Sequence, residues 1–146
     1  VVDGDGQFPL EDIVRVYEEL RSGDLDLVKT YREVRSDGIY RRLISSVYNS
    51  LFKVLFPGVR CRDINSKPKI FTEETLKKMD LLSDDWFIDA EIMIQARRLK
   101  LNYSEISTQF TKLDTRKSFV KPAAIAEFIF NMILYRIREF IRLLKK

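Results

Sequence analysis

Histidine is absent from the 146 residues, cysteine occurs once, and proline and glycine occur only four and five times. Without histidine, imidazole acid–base catalysis and histidine-held metal sites are excluded. The lone Cys61 excludes an intramolecular disulfide framework and fits a reducing compartment. No uninterrupted apolar run reaches about 18 residues, so no membrane-spanning helix is predicted. The opening carries neither a basic nor an apolar signal-peptide region, so no secretory leader is expected. Internal repeats and low-complexity tracts are also missing, which argues against solenoid and linker architectures.

What remains is the composition of a globular protein. Apolar residues make up 45% and charged residues 33%, too apolar a balance for a disordered chain. The formal charge of +4 suits phosphates, anionic lipid or nucleic acid without choosing among them. The aromatic residues fall on helix stripes, not on a stacking platform, and no nucleic-acid motif is present, so no nucleic-acid partner is expected.

The opening stretch organises the rest. Val1-Val2 reads as the end of a buried strand, and Asp3-Gly4-Asp5-Gly6 follows as a turn. Ligands of open α/β sheets bind just past the carboxyl ends of strands. Two carboxylates there are hard oxygen ligands for Mg²⁺ or Mn²⁺, or else the residues of an Asx-rich turn.

Helix is predicted over residues 10–20, with Leu10, Ile13, Val14, Tyr17 and Leu20 as the apolar stripe. A strand over 25–31 comes next, parallel to the opening one. Residues 32–42 crowd Arg32, Arg35, Arg41 and Arg42 about a Ser-Asp-Gly turn, which reads as a phosphate-binding or a solvated basic loop. An amphipathic helix is predicted over 39–56, its stripe being Leu43, Val47, Leu51, Val54 and Leu55. Asp63 stands among Arg60, Arg62 and Lys67 and should stay ionised. Thr72 should cap a helix over 73–79, and Ser83-Asp84-Asp85 one over 86–100, buried through Ile88, Ile92, Ala96 and Leu99. A strand is predicted over 103–110, then a loop over 111–119. Pro122 starts a last helix whose apolar stripe is flanked by Arg136, Arg138, Arg142, Lys145 and Lys146. Such a helix can lie in a membrane interface, or dock on its own domain or another subunit.

The run Asp3, Asp5, Gln7, Pro9, Ile13 resembles the Asp-x-Asp motif of family 2 glycosyltransferases, particularly the polyprenyl-phosphate (dolichyl-phosphate mannosyltransferase-like) sugar transferases. Later motifs keep the family's order: Arg32 and Arg35, then Arg42, Ser46 and Asn49, then Asp63, Ser66, Lys69, Ile70 and Phe71, then Asp89 and Glu91. Lys67 and Pro68 depart from the family's Gly and Phe. In the loop Ser118 fits, Leu113 stands where an Arg is usual, and Arg116 replaces a Gly.

The resemblance implies a partial nucleotide-diphospho-sugar transferase (Rossmann-like) fold lacking its N-terminal strands. Residues 1–121 would be the carboxyl-terminal part of the catalytic domain and 122–146 a basic amphipathic helix. It implies metal-dependent, inverting transfer of a sugar from a nucleoside diphosphate sugar to a lipid-linked phosphate, at the cytoplasmic face of a membrane. Asp3 and Asp5 would hold Mg²⁺ or Mn²⁺. Gln7, Arg32, Arg35, Arg42, Ser46, Asp63, Asn65, Lys69, Arg116 and Ser118 would contact substrate or phosphate. Asp89 or Glu91 would serve as base for a hydroxyl acceptor, the first alternative reaction. A non-enzymatic basic module binding anions or membranes is the second. A sheet ending beside its central strand would expose unpaired backbone, so self-association is expected.

Overall fold

The computed structural model describes residues 1–4, 6–34, 39–109 and 122–144, the side chains at 34, 39–42, 44, 45, 122–125 and 143 excepted. Its elements are α1 (Glu11–Ser22), β1 (Leu27–Val34), α2 (Ile39–Leu55), β2 (Lys69–Phe71), α3 (Glu73–Lys78), α4 (Ile88–Arg98), β3 (Tyr103–Gln109) and α5 (Pro122–Leu144). The helices and strands expected after the opening stretch are therefore present, with ends shifted by up to three residues, whereas Val1-Val2 forms no strand element.

The sheet has the order β2-β1-β3, with β1 antiparallel to β2 and parallel to β3. This mixed α/β arrangement is consistent with a partial Rossmann-like fold. Leu27, Val28, Lys29 and Thr30 are all buried, as a central strand covered on both faces requires. One face carries Ser104 and Thr108 against α1, where Glu19 and Asp12 accept their hydroxyls. The other carries Leu27 and Tyr103 against a core of Phe52, Phe56, Ile64, Ile92, Met93 and Met132.

Val1 adds to the far edge of β2. Its N–H donates to the Lys69 carbonyl at 2.6 Å and its carbonyl accepts from the Lys69 N–H at 2.9 Å. That mutual exchange is the hydrogen-bonded pair of an antiparallel ladder. The opening residues thus run in the same direction as β1, with β2 between them, which matches the expected parallel sense. The expected burial is corrected: Val1 and Val2 are 46% and 49% exposed, because they sit at the sheet's margin.

Helix faces also differ from the expected stripes. On α1 the buried residues are Asp12 and Val16, whereas Leu10, Ile13, Val14 and Tyr17 are exposed. Asp12 goes inward because its carboxylate is taken up by Thr108 and by Arg15 (2.5 Å). On α2 the rings of Phe52 and Phe56, with centroids 4.9 Å apart, turn the buried face toward Tyr48, Leu51 and Leu55, and leave Leu43, Val47 and Val54 outside. Helix α4 is buried from residue 89 to residue 96, polar positions included. Helix α5 meets the core through Phe128, Met132 and Tyr135, a seam at helical spacing, with Glu139 continuing it onto Arg97.

Thr72 caps α3 as the sequence predicts, whereas the N-cap of α4 is Phe87, which makes no side-chain cap, and Asp85 acts in the turn before it. Thr72 Oγ1 accepts from the Thr75 N–H at 3.1 Å. Asp85 Oδ1 accepts from the Phe87 N–H at 2.8 Å, one turn ahead of α4.

Candidate functional site

The carboxyl end of β1, the start of β2, the opening residues and the first turn of α4 meet at one end of the sheet. Antiparallel pairing brings this about, because the Pro68 carbonyl accepts from Thr30 N–H at 3.1 Å and sets the 60–68 segment over the end of β1. A chain of ion pairs crosses the meeting point. Lys67 Nζ lies 2.6 Å from Asp3 Oδ1 and 3.0 Å from Asp89 Oδ2, and Lys69 Nζ donates to Asp89 Oδ1. Beside it, Arg32 forks onto Asp63, Nε to Oδ2 at 2.6 Å and Nη2 to Oδ1 at 3.0 Å. Lys29 Nζ donates to the carbonyls of Thr30 (2.7 Å) and Asp63 (2.5 Å) and lies 3.1 Å from Glu105 Oε1. Glu105 also accepts the Arg62 N–H at 3.1 and 3.0 Å. Ser66 and Thr30 share a hydroxyl hydrogen bond of 2.9 Å.

The two lysines on Asp89 shift in opposite directions. Burial, the largest effect, pulls the Lys69 amine down to about 8; the neighbouring Lys29 adds to this and Asp89 only partly offsets it. Burial also acts on Lys67, but Asp89 and Asp3 together outweigh it and raise its pKa. A fully enclosed ammonium with one counter-ion is held less firmly than a rim ammonium with two.

Five expected site residues thus converge here: Asp3, Arg32, Asp63, Lys69 and Asp89. Asn65 belongs to the same segment, and its side-chain carbonyl is buried without a hydrogen-bond partner among the described residues. Gln7 is partly buried in the turn after Asp3. Ser46 is exposed on α2. Asp5, Arg35, Arg116 and Ser118, and the side chain of Arg42, lie outside the described residues.

Glu91 is placed elsewhere. It is fully buried and accepts the N–H of Leu82 at 3.1 Å to each oxygen, the N–H of Ser83 at 2.8 Å and the Gln95 amide at 3.2 Å. Its carboxylate ties down the turn before α4.

Sequence reasoning passed over Lys29, although a lysine inside the strand run Leu-Val-Lys-Thr is itself a signal, since a lysine there is enclosed only if paired. It also passed over Tyr48, whose hydroxyl is buried and unpartnered among the described residues and whose phenol burial, then Asp89 and Cys61, pushes well above its ordinary range. Cys61 is 2% exposed, and burial pushes its thiol up to about 11. Iodoacetamide at pH 8 is therefore expected to label Cys61 only after unfolding. Rapid stoichiometric labelling of the native chain would contradict this environment.

Asp3, the described half of the expected metal pair, has one oxygen on Lys67 and a side chain 39% exposed. Among the described residues no group of three His, Cys, Asp or Glu side chains could hold a metal ion.

No protein-family model matches the chain, and no solved structure matches it. The chain is 30% identical over 83 residues, 57% of its own length, to a dodecaprenyl-phosphate galacturonate synthase of Rhizobium johnstonii. It spans 25% of that relative's length. This similarity supports the resemblance to polyprenyl-phosphate sugar transferases at the level of the general family.

Proposed function

We propose that the chain is part of a glycosyltransferase that moves a sugar from a nucleoside diphosphate sugar to a polyprenyl phosphate. One observation carries the reading. Motifs far apart in sequence, at Asp3, Arg32, Asp63–Lys69 and Asp89, meet at the carboxyl end of the central strand. That end is where open α/β sheets bind ligands. The relative's name, a dodecaprenyl-phosphate galacturonate synthase, supports the acceptor class.

In this reading residues 1–121 form the catalytic part, and cations at the sheet end neutralise the leaving diphosphate, a mainly electrostatic contribution. Arg32, oriented by Asp63, is the guanidinium best placed for this role. Arg35, Arg42, Arg116 and Ser118 complete the phosphate contacts, and Gln7, Ser46 and Asn65 the contacts to sugar and nucleotide. The unpaired Asn65 carbonyl suits a sugar hydroxyl donor. A polyprenyl phosphate is ionised at neutral pH, so attack with inversion needs no strong base. This agrees with the engagement of Asp89 by two ammonium groups, which leaves it poorly suited to accept a proton from a hydroxyl acceptor.

Helix α5 supports a membrane-surface site of action. Phe130, Ile133, Ile137, Phe140, Ile141 and Leu144 are each at least 45% exposed, so the apolar stripe faces away from the domain. Arg98, Arg138 and Arg142 line a cavity of about 200 Å³ between α4 and α5. Apolar surface beside arginines fits the interface of an anionic leaflet, which we place at the cytoplasmic face. No helix among the described residues is long and apolar enough to cross a membrane.

The test is a thermal-shift screen against GDP- and UDP-sugars, each with and without Mn²⁺, on this chain and on a longer form matching the relative's length. A donor at 100-fold its Kd should stabilise the fold by about 2.7 kcal/mol. Arg32→Ala should abolish that shift. Donors that leave both forms unshifted, or a shift untouched by Arg32→Ala, would overturn the reading.

A further inference from the structure

Asp3 already holds a cation. Lys67 Nζ is bound on one side by Asp3 Oδ1 at 2.6 Å and on the other by Asp89 Oδ2 at 3.0 Å, and its side chain is only 11% exposed. Asp89 is in turn fixed from behind by the fully enclosed Lys69 on its other oxygen. The four groups form a neutral chain, two ammoniums and two carboxylates, running from the turn after Val1 to the first turn of α4. Lys67 directly precedes Pro68 and β2, and Lys69 is bonded through its backbone to Val1, so the amine and Asp3 leave neighbouring strands side by side.

From this geometry we propose that Lys67 is the resident counter-ion of Asp3, and that a divalent ion reaches Asp3 only by displacing it. An incoming ion meets a carboxylate whose charge is already neutralised, and meets an ammonium of like charge held in place by a second carboxylate. The same ammonium lies where the reading above puts the donor diphosphate, so it offers that group a point charge that needs no free metal. Only this last consequence rests on the glycosyltransferase reading.

The experiment measures Mn²⁺ binding alone, by the paramagnetic resonance signal of the free ion, with no nucleotide present. Native chain and Lys67→Arg are expected to bind weakly at Asp3. Lys67→Met should bind Mn²⁺ at least tenfold more tightly, and adding Asp3→Asn should cancel the gain. Native binding as tight as that of Lys67→Met, or a gain that survives Asp3→Asn, overturns the proposal. Amine acetylation of the native chain gives a check that needs no variant. Lys67 should react at least tenfold more slowly than Lys77, whose side chain is 73% exposed. Equal reactivity also overturns the proposal. Failure of every nucleotide to bind would leave the Mn²⁺ result standing, so the two readings fail separately.

Discussion

Asp89→Ala is expected to destabilise the fold by about 3–5 kcal/mol, the cost of stranding a buried charge. Asp89 is 4% exposed and is the counter-ion of Lys69, which has no exposed side-chain surface. The variant carries a pH signature whose sign can be worked out. The Lys69 amine titrates near 8 in the folded chain, against an ordinary value of 10.5. Between those values the unfolded chain binds the extra proton, so this group makes stability rise with pH. Without Asp89 the folded amine gives up its proton still more readily. The deficit of Asp89→Ala should thus be largest well below pH 8, shrink as pH rises toward about 8, and stay level from there to 10.5, where native and variant chains gain stability alike. Lys69→Met in the same chain should recover most of the loss. Urea denaturation of native, single and double variants across that range checks all three statements. A deficit that is small, or that grows with pH, would mean the pair is not formed.

Glu91→Ala comes second, with an expected loss of about 2–4 kcal/mol, because it removes a fully buried carboxylate that accepts from two partly buried backbone N–H groups and an amide. Glu91→Gln keeps one carbonyl oxygen and should lose about half as much. Neither change should alter donor affinity once corrected for folded fraction, since the carboxylate faces the 80–83 turn. The measurement is a thermal melt paired with a turnover assay. A Glu91→Gln chain of native stability with no turnover would return Glu91 to the role of base.

The contrast between these two acids explains what the sequence could and could not convey. Both stand in the first turn of a helix after an Asp-rich cap, and both match the same family pattern. Only three-dimensional pairing separates them, because Asp89 points to lysines about 20 residues upstream and Glu91 to its own preceding turn. Element positions were legible because they rest on local signals: Thr72 as a cap, Asp85 in the turn before a helix, Pro122 as a helix start, Gly23 as a stop. Buried faces were not, because they depend on which aromatic residues find partners. The Leu43-Val47-Val54 stripe is as apolar as the Phe52-Phe56 one, but only the latter meets rings on α5, through Phe56 and Tyr135 at 6.4 Å. Likewise the inward turn of Asp12 depends on Thr108, 96 residues away.

The central position of β1 has a kinetic consequence. Its partners lie far ahead in the chain: β2 follows about 40 residues later, and Lys29 meets Glu105 across a separation of 76. A ribosome adding roughly 5–20 residues per second leaves β1 with an unpaired edge for about 4–15 seconds. Throughout that interval an apolar strand containing Leu27 and Val28 waits beside α1, whose outward stripe is also apolar. Nascent chains should therefore depend on holding factors during synthesis, and folding should be slow for the chain's size, as long-range parallel pairing dictates.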